Sequence, residues 1–140
     1  MQGWILQGFP DADIQVSVIW IEMLPTDDRE AAQRMADQMT DARVSHYFDP
    51  RATHLAGTAL EHGIIREGRG PAWDVYLFYG PEAEWRDEPP KPVDWCHQLG
   101  GGQRADSSRF AGGVVGEKLH ATMHELTRTP CTHGKAAENR

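Results

Sequence analysis

Cysteine is scarce in this chain, with only Cys96 and Cys131 among its 140 residues. Two thiols so far apart build neither a disulfide-stapled scaffold nor a Cys-x-x-Cys motif, so reduced thiols are the default. No apolar run approaches the roughly 18 residues of a membrane-crossing helix. The opening stretch Met1-Gln2-Gly3-Trp4-Ile5-Leu6 has no basic flank and no long apolar segment, so no leader is expected and the protein reads as cytoplasmic, off the membrane. Basic charge is also in deficit: 14 Lys and Arg against 21 Asp and Glu leave a formal charge of −7. That balance argues against sequence-independent binding to nucleic acid or to anionic lipid. Internal repeats and low-complexity tracts are absent as well.

What is present suits one folded domain. Hydrophobic residues make up 39% of the chain, and five Trp, four Phe and three Tyr supply bulky core material. The expected domain is 1–127, with a flexible polar tail over 128–140. Ile14 to Met23 begins in alternation and becomes apolar on both faces at Val18-Ile19-Trp20-Ile21, the pattern of a strand covered on both sides. Trp4-Ile5-Leu6 ahead of it reads as the last turn of a helix whose beginning is missing. After Pro25, Asp27 and Glu30 have capping-box spacing and Ala32, Met35, Ala36 and Met39 follow on one stripe, which predicts a helix from about Asp28 to Met39. Arg43 to Phe48 reads as a short strand. Asp49-Pro50 then offers a helix start, Leu55, Ala56, Ala59 and Leu60 its apolar positions, and Gly63 its stop.

Trp73 to Tyr79 is the second strong strand, ending at Gly80-Pro81, with a hairpin partner expected through Glu84-Trp85. The proline-rich stretch Asp87 to Pro92 should be extended and exposed, and Trp95 to Leu99 returns to apolar spacing. Gly100 to Ser108 is expected to be the most flexible internal segment. A last helix is predicted from about Ser107 or Ser108, with Val115, Leu119, Met123 and Leu126 on one stripe and Gly112, Gly113 and Gly116 weakening its first turns. The order strand, helix, strand, helix, proline loop, strand, hairpin, helix is α/β.

That order, with Gly70-Pro71 just before Val75-Tyr76-Leu77-Phe78 and Gly80 at the hairpin, resembles the second half of a thioredoxin-like domain over roughly Ile14 to Leu126. Phe48-Asp49-Pro50, Gly70 to Leu77 and Trp95 to Leu99 are similar to a narrower, uncharacterised group of bacterial thioredoxin-like proteins. The resemblance implies a mixed sheet flanked by helices, N-terminally incomplete, with Pro71 as the loop proline that the family holds in cis. It also implies a reactive cysteine between a strand and the first long helix, where a helix N-terminus lowers its pKa; no cysteine stands there. Two readings follow: a non-catalytic binding or structural module without cofactor, or a thiol-disulfide redox protein whose reactive cysteine lies upstream of Met1. A missing first strand would leave Ile14 to Met23 with an open edge, and dimerisation through that edge is expected.

Cys96, between Trp95 and His97, is the one candidate catalytic thiol, but strand neighbours point to opposite faces, which favours a small buried apolar residue. His120 and His124 share a helix face, with Cys131 and His133 beyond; solvated histidines are the expected reading, and no metal site is assigned. His124-Glu125 begins a zinc-protease pattern that fails at Arg128. Gly112, Gly113, Gly116 and Lys118 do not make a phosphate loop, and the acids around Asp27 and Glu84 read as a cap and a solvated rim. Gly70, Pro71 and Trp73 are the candidate ligand-binding residues: the residue before the loop proline can offer backbone hydrogen bonds to an extended peptide or protein partner. Their plainer role is a turn and a core tryptophan.

Overall fold

The structure is a computed structural model, and it describes residues 2–66, 70–99 and 107–128. Strand β1 (Val16–Ile21) leads into α1 (Arg29–Ala36), β2 (Val44–Asp49) and α2 (Leu55–Leu60), which runs on as a π-helical turn, Glu61–Ile65. Strands β3 (Val75–Phe78) and β4 (Asp94–His97) follow, then short 3-10 turns at Ser107–Arg109 and Gly112–Val114, then α3 (Val115–Arg128). The chain is thus α/β, in the order that the periodicities predict. Gly100–Gly102, most of the glycine-rich stretch after β4, and the segment 129–140, with Cys131 and His133, lie outside the described residues.

β1 and β2 pair in parallel, Val16 opposite Val44 through Ile21 opposite Asp49. β3 and β4 pair antiparallel, Val75 opposite His97 through Phe78 opposite Asp94. Instead of one mixed sheet, the described strands form two separate two-stranded ribbons. The partner of β3 is also not Glu84-Trp85, which is exposed, but the later Asp94–His97. The prolines 89, 90 and 92 lack the N–H that a strand ladder uses, so the chain crosses them before it can pair again. The far edge of β4 is closed by a bridge from His97 to Phe110 and by the Ala111 amide donating to the His97 carbonyl at 2.9 Å.

Two apolar clusters lie on opposite faces of the β3–β4 ribbon, as strand alternation requires. Tyr76 and Phe78 pack with Ile14 and Phe9 against Ile5, Cys96, Ala111, Leu119 and Met123, beneath α3. Trp73, Val75 and Leu77 pack against Leu60, Ile65, Ala72 and Leu99, beneath α2. Residues 2–8 form consecutive turns, and they bury Ile5 and Leu6. Trp4 lies directly over Gly116, where any Cβ would collide with its indole. Arg43 ties this segment to β2 by donating to the carbonyls of Phe9 at 2.8 Å and Leu6 at 2.9 Å.

Helix ends differ from expectation for identifiable reasons. Asp28, not Asp27, caps α1: its carboxylate accepts from the Ala31 amide at 2.8 Å, while Asp27 turns back to accept from Leu24 at 2.7 Å. Gly63 does not stop α2; the π turn runs through it to Arg66, which takes a left-handed φ of 62°. α3 begins at Val115 because Gly112 adopts φ 50°, outside the helical basin.

Candidate functional site

Three connections meet at the carboxyl ends of the parallel strands, where open α/β sheets present their ligand sites. The first, Glu22 to Asp28, joins β1 to α1; the second, Pro50 to His54, joins β2 to α2; the third is Gly70-Pro71 ahead of β3. Side chains stitch the first two together. Arg51 donates its guanidinium to the Met23 carbonyl at 2.6 Å, and its own amide is held by the Glu22 carboxylate at 3.0 Å. His54 sits in a left-handed conformation, φ 42°, and its Nε2 donates to the Glu22 carbonyl at 2.7 Å. A histidine at positive φ costs backbone strain, which that bond offsets.

The third connection is pinned through Gly57. The buried Asp49 carboxylate accepts from the Gly57 amide at 2.9 Å, and the Gly57 carbonyl accepts from Ala72 at 2.8 Å. A Cβ at Gly57 would stand 2.8 Å from the Pro71 Cβ and 3.1 Å from the Ala72 carbonyl, so only glycine permits this approach. The Gly70-Pro71 bond is trans, as is every peptide bond among the described residues, which corrects the cis proline implied by the resemblance. Gly70 is exposed at φ 93°, and among the described residues its amide and carbonyl have no hydrogen-bond partner.

Beside Pro71 lies a hollow of about 140 Å³ lined by Thr58, Glu61, His62, Gly70 and Pro71. That is well under the roughly 300 Å³ at which small-molecule pockets begin, and suits a single side chain. Glu61 is buried at its wall, positioned by the π turn, a feature frequent at functional sites. Sequence reasoning missed this carboxylate, since no local signal marks a π turn. At the first two connections Leu24 is 60% exposed and Leu55, the first residue of α2, is 73% exposed, apolar side chains with little cover. Trp73, third of the predicted ligand residues, instead packs into the cluster beneath α2; its indole N–H is buried without a partner among the described residues.

The candidate thiol stands elsewhere. Cys96 is 1% exposed among Ile5, Leu119 and Met123, and burial pushes its pKa up, with the nearby Lys118 charge opposing. His97 points to the other face of the strand, between the rings of Trp95 and Phe110, and its Nδ1 accepts from the Leu99 amide at 3.2 Å. The pair therefore does not form a thiolate and imidazolium. His120 packs against Trp4 and Phe9, while His124 faces solvent. Compared with known proteins, the chain matches no family model, no curated protein and no solved structure.

Proposed function

We propose that this chain is a thioredoxin-like, non-catalytic module that binds an extended peptide at the rim formed by Gly70-Pro71, Leu24 and Leu55. The observation that carries this reading is Gly70, an exposed residue whose amide and carbonyl have no partner among the described residues, beside a proline anchored on Gly57. Strand addition uses just such backbone groups for affinity and adjoining recesses for specificity. The hollow at Glu61 supplies one recess, and the two leucines supply apolar cover.

The thioredoxin-like part rests on element order and on how the ribbons lie. Ile21 of β1 and Pro71 both approach Gly57, while Ile14 packs on the same cluster as Tyr76 and Phe78. Those contacts bring the two ribbons together around Gly57 and the cluster beneath α3, without a ladder between β1 and β3. The redox alternative needs a reactive thiol upstream of Met1, since Cys96 is buried. The free edge of β1 favours a further role, pairing with a second copy.

Selection of random peptides displayed against the full chain, followed by amide NMR of the bound complex, tests the docking reading. Shifts clustered over residues 57–62 and 70–73, lost in the double variant Leu24→Ser and Leu55→Ser, are expected. Failure to select any peptide, or shifts confined to another face, would overturn it.

A further inference from the structure

His46 joins three elements through its two ring nitrogens. The register places Val18 opposite His46 and Trp20 opposite Phe48, so Trp20 and His46 are diagonal neighbours on one face of the parallel ribbon. Their ring planes are 17° from parallel with centroids 6.1 Å apart, and the Trp20 indole N–H donates to His46 Nδ1 at 3.3 Å. His46 Nε2 stands 3.3 Å from the carbonyl of Met39, in the turn that follows α1. An indole N–H only donates and a carbonyl only accepts, so the two contacts together require a neutral imidazole with its proton on Nε2.

We propose that His46 is an acid-sensitive latch between β1, β2 and the end of α1. A second proton on Nδ1 leaves two N–H groups facing each other. The bond to Met39 survives, so it is Trp20 that must turn away. The neighbouring groove, lined by Trp20, Arg29, Ala32, Gln33, Ala36, His46, Tyr47 and Phe48, gives the indole somewhere to go. Arg29 of α1, stacked 4.7 Å from the Phe48 ring centroid, is the one charged group lining it, and Tyr47 the other titratable one. No residue of α1 is buried, so little packing resists a shift of this helix against the ribbon.

The test follows the indole N–H cross-peak of Trp20, assigned with Trp20→Phe, and the ring signals of His46 in the full chain from about pH 8 to about pH 5. The expected result is one sigmoidal movement of the Trp20 peak that tracks the His46 ring, with far-UV circular dichroism unchanged, and no such movement in His46→Gln. An indole peak that stays fixed while the ring titrates overturns the latch, as does the same movement in His46→Gln. Should His46→Gln fail to fold, His46→Asn takes its place, and the same indole movement in that variant also overturns the proposal.

Discussion

Arg43 holds the N-terminal segment on the domain through that segment's backbone. Its guanidinium meets the Leu6 and Phe9 carbonyls and the Asp41 carboxylate, the last at 2.8 Å. Replacing it by methionine leaves two carbonyls without their charged donor, and a loss of about 1–3 kcal/mol is expected in urea unfolding. The same guanidinium holds Asp41 at about 2 instead of 3.8. A carboxylate whose pKa is lowered on folding contributes stability above its unfolded value, lost as pH falls from 3.8 to about 2. Asp41→Asn should remove that part of the acid dependence; an unaltered profile between those limits would show that solvent screens the pair. At Cys96 burial raises the thiol pKa, so in a Cys131→Ser background a disulfide reagent should label the native chain only as fast as it opens. Labelling at the rate of a free thiol would revive the redox reading. The burial of Cys96 was legible from strand alternation. The role of Arg43 was not, because its carbonyl partners lie 34 and 37 residues upstream in sequence.

Elements were legible where period and punctuation agreed, and less so where tertiary contact set the boundary. β1, α1 and β2 fall inside their predicted ranges to within a residue because alternation, the acidic cap and the 3.6-residue stripe are local signals. The partner of β3 was misplaced because a turn at Gly80-Pro81 suggests a short hairpin, whereas a proline stretch delays the return until Asp94. There the strand is anchored by tertiary polar bonds: Asp94 accepts from the Thr122 hydroxyl at 2.9 Å and pairs with Arg109. Although partial burial opposes it, these bonds hold the Asp94 carboxyl below its ordinary range. Gly57 is the equivalent constraint on α2. Gly57→Ala forces the helix and Pro71 apart, and overpacking of this kind costs about 1–3 kcal/mol. The same change should weaken binding of any selected peptide, because it moves Gly70 relative to the two leucines. Loss of stability with peptide affinity intact would mean that the rim does not use Pro71.

At the scale of the molecule the open question is what meets the free edges. In the parallel ladder the amides of Val16, Val18 and Trp20 point to β2, since the Val16 amide donates to Arg43 and that of Glu22 to Asp49. Those of Ser17, Ile19 and Ile21 point the other way and have no partner among the described residues. Parallel strands are usually covered on both faces and paired on both sides, so a lone parallel pair with partly exposed side chains is an incomplete arrangement. Amide exchange at low concentration should therefore alternate along β1, slow at Val18 and Trp20 and fast at Ser17 and Ile19. If a second copy adds to this edge, protection of Ser17 and Ile19 should rise with protein concentration, alongside a doubling of mass in sedimentation. β1 carries no charged residue from Val16 to Ile21, so antiparallel self-pairing would set no like charges opposite each other. Uniform protection along β1 in a monomer would instead place β3 against it and close one four-stranded sheet, leaving the rim as the remaining surface for a partner.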